Sequence, residues 1–427
     1  MSLYKRLSYI GVLCTFFIFS ESQAQSSVSA YSSLGIGDFN NNGLTQNQGM
    51  GGLGISFGTG WGLNYMNPAL STRNTIFNFQ AAFNYQRVNL RTENEQEFVD
   101  GGGLSYVGMS LPINPGKSAL GLGINQITTV NYSIVVNGQV TNSDLTSLNR
   151  IDGSGGVSEA YLAYSLSPAK NLSFGVHGSY LFGSTIRTNQ LSLLDENENP
   201  IGNSSEYFER FTVSDVTYKL GAHYYFKLGE KSNFHLGAIY QAFGNINGRE
   251  FAKVADFGQA SRPDTDGEVL SDNIRGSVFV PENFGFGITY ERINRLIIGL
   301  EGQYQEFSRY IDFNGSETNL NDSYRIALGT QITPDFGSMD KFFKRITYRF
   351  GVEYKQTPYV VAQTSITDIG INFGGTVPMN TLSMMNFAIR LGQRGTTANG
   401  LIRENYAGFS LGFSLNDNTW FYKRVYD

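Results

Sequence analysis

The chain reads as an all-β protein: a closed antiparallel transmembrane β-barrel of about 14 strands with an N-terminal lumenal hatch. Three observations lead there. The first residues have the form of an export signal, period-two alternation recurs through most of the remaining sequence, and short and long connections take turns along it.

Of 427 residues, 50 are Gly, 32 Phe and 25 Tyr, against 1 Cys and 3 His, a mix that suits one large β unit. Lys5 and Arg6 precede an apolar run from Tyr9 to Phe19, and Ser22-Gln23-Ala24 supplies the small residues of a cleavage site. Residues 1–24 are therefore expected to be removed, leaving Gln25 as the first mature residue. Cys14 leaves with them, since Leu13 is too bulky for a lipobox, and the mature chain then has neither disulfides nor thiolate chemistry. Losing Lys5, Arg6 and Glu21 takes the formal charge from −5 to −6, which offers nothing to nucleic acid. No uncharged apolar run after the leader reaches the ~20 residues of a membrane helix, so any crossing must use strands.

A membrane strand needs only ~9–11 residues, apolar toward lipid and polar toward the lumen. From 76 to 87, Phe77, Phe79, Ala81, Phe83 and Tyr85 share one face, and Asn78, Gln80, Asn84 and Gln86 the other. The same division recurs at 171–186, 209–228, 345–356 and 405–421. Further segments at 103–111, 118–136, 157–167, 233–245, 279–291, 295–309, 322–332, 365–374 and 383–393 complete an even set of strands. The connections 114–117, 168–170, 229–231 and 292–294 are tight, whereas 137–156, 187–208 and 246–278 are long and polar. Short periplasmic turns and long external loops produce that pattern, placing residues 76–427 in a bacterial outer membrane with both termini periplasmic. A soluble sandwich would have to bury either an aromatic or a charged face of every strand. The stretch 334–344 is long for a periplasmic turn.

Residues 25–75 lack alternation, yet carry Leu34, Ile36, Phe39, Met50, Leu53, Ile55, Phe57, Trp61, Leu63 and Met66, too apolar a set for a disordered tail. A barrel this wide leaves a lumen to fill, and this segment is expected to fill it as a hatch. A periplasmic extension held by a partner is the other reading. Within the segment, Gly49-Met50-Gly51-Gly52-Leu53-Gly54 followed by Asn67-Pro68-Ala69 resembles the hatch of the FadL-like long-chain fatty-acid transporters. Val280-Pro281-Glu282-Asn283-Phe284-Gly285, the set Glu301, Tyr304, Phe307 and Ser308, and the prolines of Thr357-Pro358 and Val377-Pro378 extend the resemblance over most of the chain. It implies a fourteen-stranded barrel, a hatch containing Gly49, Gly51, Gly52, Gly54, Trp61, Asn67 and Pro68, and lateral passage of hydrophobic molecules beside the third strand. Glu301 stands where the family often has Asp, and Phe307 where it often has Trp.

The third strand is unusual in itself. Leu120, Leu122 and Ile124 hold the lipid parity, then Gln126 and Thr128 occupy it before Val130 resumes. Polar groups facing lipid are unfavourable, so a kink that turns them away is expected, making Gln126, Thr128 and Asn131 a candidate lateral opening; a shifted register is the alternative.

The lumen parity collects a polar wall of Glu159, Lys219, Glu301, Arg325, Arg349, Glu353 and Arg390 with His177, His223 and His235. Opposite charges there stiffen a barrel or anchor a hatch, and an arginine among them could also receive a substrate carboxylate. Three histidines on consecutive strands could hold a metal, though lumen imidazoles bonded to neighbours are the ordinary case. Asp264-Thr265-Asp266-Gly267-Glu268 keeps only part of a calcium-loop pattern, and the glycine run lacks the strand and helix of a dinucleotide site. No elbow or metal spacing suggests an enzyme, and no cofactor is expected. The chain thus reads as a porin-like transport barrel for a hydrophobic or amphipathic small molecule, embedded in outer-membrane lipid. The alternative is a non-transporting subunit docked to other outer-membrane assembly or secretion machinery.

Overall fold

The structure is a computed structural model that describes residues 28–418 except 34, 41, 198, 314, 317, 318 and 381. The leader at 1–24 and the terminal Trp420-Phe421 lie outside the described residues.

Fourteen antiparallel strands close into a barrel. In order they are Phe77–Arg91, Gln96–Asn114, a third split into Ser118–Gln126 and Thr128–Gln139, Thr146–Ala169, Leu172–Leu194, Pro200–Lys227, a seventh split into Ser232–Ala242 and Gly244–Asp256, an eighth split into Glu268–Val280 and Asn283–Arg292, then Leu296–Gln305, Ser323–Ile332, Thr347–Val361, Thr364–Pro378, Met384–Arg394 and Arg403–Asp417. The last strand pairs with the first from Arg403↔Arg91 to Asp417↔Phe77, which removes both sheet edges. The aromatic and aliphatic parity faces outward, where Phe174, Val176, Val216, Tyr218, Phe350 and Phe409 are exposed; His177, Lys219, Arg349 and Glu353 on the other parity are buried inside. This outward band is that of an outer-membrane β-barrel.

The long polar connections expected at 137–156, 187–208 and 246–278 need correction. Most of each is β-hairpin: the fifth and sixth strands pair out to Leu194↔Pro200, and the third and fourth out to Gln139↔Thr146. Outside the bilayer both faces of a strand meet water, so alternation fades while the ladder continues.

The third strand breaks at Ile127. Its first half pairs with the second strand from Tyr106↔Asn125 to Asn114↔Ser118. Its second half pairs with the fourth strand from Val130↔Gly155 outward, and on its other side with the two-residue strand Asp38–Phe39. Among the described residues, no ladder joins 96–104 of the second strand to the third. Neighbouring strands accommodate the bend through Gly156 (φ 145°) and Gly183 (φ 139°): a side chain on Gly156 would overlap the Thr128 carbonyl, and one on Gly183 the Gly156 carbonyl. The stretch 334–344 is a bridge across the rim. Phe336 lies 6.1 Å from Trp61 at the mouth of the lumen, a short helix Phe342–Arg345 follows, and Tyr348 donates to the Phe343 carbonyl at 3.1 Å.

Candidate functional site: the filled lumen and the broken strand

Residues 28–74 pack against inward side chains of most strands. Leu44, Ile55, Leu63, Tyr65 and Met66 share an apolar cluster with Ala82, Tyr106, Tyr161, Ala163 and Ile239 of the wall. The approach is closest where the wall carries inward glycines. The Met50–Gly51 backbone lies on Gly351 and Gly329, and Gly49 lies on Gly374. The Asn67 and Pro68 side chains sit on Gly221, and the Ile55 backbone on Gly237; an added side chain would collide with backbone at Gly329, Gly351, Gly374 and Gly237, and with the Asn67 amide oxygen and Pro68 ring at Gly221. The glycines meet across strands, Gly329↔Gly351, Gly175↔Gly221 and Gly237↔Gly287, so they form a belt at one height. Asn67 accepts from Ala69 N–H at 3.0 Å, capping the helix Pro68–Arg73, and donates to the Ile55 and Ala222 carbonyls at 2.7 and 3.0 Å. Trp61 lies half-exposed at the mouth.

Polar groups fix the rest. The Glu301 carboxylate accepts from the N–H groups of Gly54, Ile55 and Ser56 at 2.8–2.9 Å and from the Ser56 hydroxyl at 3.0 Å. Arg325 donates to the Gly51 carbonyl beside Gly52 and pairs with Glu353 at 3.0 Å. Glu353 also receives Arg390 at 2.8 Å; Arg390 reaches Asp368 at 3.3 Å, and Asp368 holds Arg394 at 3.1 Å. Arg394 grips Asp38 at 2.7 Å. An unbroken chain of charges thus joins the glycine run to the small strand that braces the broken third strand. Burial alone would raise the Asp38 carboxyl pKa, but Arg394 and Lys355 beside it more than offset that and hold it below the usual carboxylate range.

The histidines divide into two settings. His177 stacks on Tyr161 at 4.5 Å and lies 3.6 Å from Glu159, which accepts from Tyr65 and, at 2.6 Å, from Ser179. Lys219 stands over the Tyr65 ring at 4.2 Å. His223 and His235 meet at 3.1 Å; His235 Nε2 reaches Glu291 at 3.0 Å, and its Nδ1 meets Arg73 at 3.3 Å. Among the described residues no group of three or more His, Cys, Asp or Glu could hold a metal. In the turn at 257–267, the fully buried Lys253 ammonium donates to the carbonyls of Arg262 and Thr265 at 2.9 and 2.6 Å. That turn is organised around a cation of the chain's own.

At the break, Thr128 is turned inward, fully buried, and its hydroxyl accepts from Val157 N–H at 3.1 Å. The Asn131 carbonyl accepts from Ser29 N–H, and its N–H donates to the Ser32 hydroxyl, both at 3.1 Å. Gln126 remains half-buried on the other side of the break. Ile127 itself enters an apolar cluster with Ile36, Val157, Leu181, Phe211, Phe243, Val280, Phe307 and Tyr310 that fills the lumen toward the long hairpins.

Sequence reasoning passed over Asp38, Asp368, Arg394, Arg73 and Glu291, and the glycine belt. Asp368 and Glu291 lay on lumen parity and could have been found. The belt's signal was glycine recurring on the inward parity of successive strands.

These features define a fourteen-stranded outer-membrane barrel, its lumen packed with the chain's own N-terminal segment, with the fold of the hydrophobic-compound channels. Its fold is similar to that of a Pseudomonas aeruginosa FadL homologue (TM-score 0.58, 14% identity, covering 90% of this chain and 99% of that one). It is similar also to the P. putida toluene transporter TodX (0.56, 14%, 89% and 99%) and to the CymD monoaromatic hydrocarbon channel (0.55, 15%, 89% and 99%). At such identities the likeness is one of fold. The family model BamG matches residues 4–427, and the chain belongs to that family. No curated protein matches it.

Proposed function

We propose that the chain is a passive outer-membrane channel for a hydrophobic or amphipathic molecule, entering at the hairpin end and leaving laterally beside the third strand. Residues 28–74 act as its hatch, and the short-turn end with both termini faces the periplasm. The observation that carries this is the break at Ile127. The outer half of the second strand has no third-strand partner there, and the apolar cluster of the outer lumen reaches the gap through Ile127 itself. An apolar cluster that reaches the gap through Ile127 favours a solute that prefers lipid to water.

Gly155 and Gly156 hold φ values of 103° and 145°, which a β-branched residue resists. Replacing both with Val favours a regular fourth strand and a straight third strand paired to the second. Uptake of a fluorescent long-chain amphiphile is then expected to fall, with barrel abundance and heat-modifiable migration unchanged. Normal uptake by such a folded, straightened barrel would sink lateral exit.

A second reading, a docking subunit of an outer-membrane assembly, draws on the bridge at 334–344. Met339 and Phe343 there are 95% and 74% exposed among Lys341, Lys344 and Arg345. Co-purification in mild detergent separates the two: a stoichiometric protein partner favours docking, and bound lipid favours transport.

A further inference from the structure

The bridge at 334–344 straddles the barrel wall. The chain leaves the tenth barrel strand at Ile332, passes the lumen mouth, where Phe336 meets Trp61, and returns through the helix Phe342–Arg345. Its two legs are tied by the Asp335 N–H, which donates to the Lys344 carbonyl at 2.8 Å. The position of the helix follows from Tyr348. That residue is the second of its strand, it lies exposed on the lipid parity, and its hydroxyl reaches the Phe343 carbonyl. Phe343 therefore stands on the outer side of the wall, at the level where membrane barrels carry their aromatic girdles.

Charge surrounds this exposed apolar group. The bridge carries Lys341, Lys344 and Arg345 against Asp340 and Asp335, whose carboxylate accepts from the Gly337 N–H at 3.2 Å. Among the described residues no carboxylate lies within ion-pair distance of the three basic side chains, and the enclosed Arg345 Nε has no hydrogen-bond partner. The turns on either side, 292–295 and 379–383, add Arg292 and Arg295, exposed Ile293 and Met379, and no acid. Bulky apolar side chains interleaved with Lys and Arg suit the headgroup region of a bilayer, where the first enter the acyl boundary and the second meet phosphate. A standing protein interface asks for more: Phe343 and Met339 together offer on the order of a few hundred Å², against the ~1,000 Å² such a contact buries.

We infer that the bridge at 334–344 is a membrane-surface anchor that seats on anionic phospholipid, with Phe343 at the boundary of headgroups and acyl chains and Lys341, Lys344 and Arg345 on the phosphates. The leaflet is periplasmic by the orientation proposed above, but the seating itself depends neither on that orientation nor on transport. Because Phe336 lies on the same tied loop, the anchor also fixes the cap over the lumen mouth to the membrane surface.

A fluorophore at position 343 tests this: the full chain with Phe343→Trp, and with the two native tryptophans removed as Trp61→Phe and Trp420→Phe, reconstituted in vesicles. In equal parts phosphatidylglycerol and phosphatidylcholine, lipid brominated high on its acyl chains is expected to quench the emission by about half, lipid brominated near the chain ends far less, and aqueous acrylamide hardly at all. In phosphatidylcholine alone the lipid quenching falls, and the triple change Lys341→Gln, Lys344→Gln and Arg345→Gln lowers it to that same level in the mixed vesicles. Heat-modifiable migration checks that each variant folds; should Phe343→Trp fail, Phe343→Cys carrying an environment-sensitive dye reports the same depth. Quenching by acrylamide without quenching by brominated lipid would overturn the anchor and return these residues to a protein partner. Lipid quenching indifferent to phosphatidylglycerol, or to the three basic side chains, would overturn the anionic-phospholipid assignment.

Discussion

Single carboxylates hold the N-terminal segment in the lumen, and each is testable. Asp38 lies between Arg394 and Lys355 and shares Arg394 with Asp368, and its depressed pKa means its pairing stabilises the docked state at pH above ~3.9, the unfolded value. That contribution is lost as pH falls through the lower, folded value. Proteolysis of residues 28–40 in the folded barrel is therefore expected to stay slow at neutral pH and accelerate only in acid. Asp38→Asn should make it fast already at neutral pH. The cost is about 2–3 kcal/mol, below the ~3–5 of a fully orphaned buried charge because Arg394 keeps Asp368. Glu301→Ala leaves the N–H groups of Gly54, Ile55 and Ser56 without their acceptor and should loosen the same segment by at least ~2 kcal/mol, read by hydrogen exchange at those amides. The lumen side of Glu353, Arg325 and Arg390 was legible from parity alone. Their partnership was not: Glu353 stands opposite Ala327 and Gly370, and it meets Arg325 diagonally and Arg390 across the intervening strand, a consequence of register and shear that no single strand contains.

Among elements, strand count and facing were readable because lipid on one side and water on the other impose a period of two. Strand length was not, since beyond the bilayer that constraint ends. Arg187, Asn189 and Gln190 look like loop residues yet sit in a ladder with Glu209, Tyr207 and Glu206. The break at Ile127 was announced by Gln126 and Thr128. Its matching element, Gly155-Gly156, read as part of a loop because positive φ inside a strand leaves no mark beyond the glycines themselves. The hatch seat is an element-scale contact of backbone on backbone. Gly351→Leu places a side chain where Met50 and Gly51 lie, so the hatch must move while the strand, paired on both sides, persists. The barrel is expected to migrate as folded, with protease cutting near Gly51 and conductance rising in planar bilayers. Unchanged conductance and resistance would mean the belt is not what positions the hatch.

For the whole molecule, the first question is orientation. Asn203 lies in the extended hairpin and Glu230 in a tight turn at the opposite end, both exposed. Cysteines at these sites in intact cells should react differently with an impermeant reagent, at Asn203→Cys but not at Glu230→Cys. Equal labelling would refute the assigned direction. Charge is also divided by end. The turns at 114–117, 168–170, 227–231, 292–295 and 335–345 carry Lys117, Lys170, Lys227, Lys231, Arg292, Arg295, Lys341, Lys344 and Arg345 against Glu230, Asp335 and Asp340. Such a basic rim suits anionic headgroups or an acidic partner beneath the barrel.

The glycine belt also constrains biogenesis. Where Met50, Gly51 and Pro68 lie against bare backbone, the clearance is smaller than any side chain. Each seat needs glycines of neighbouring strands at matching positions, so it exists only once those strands have paired in register; a strand slipped by one residue would present side chains in their place, and the seating of the N-terminal segment thus reads out correct pairing during assembly.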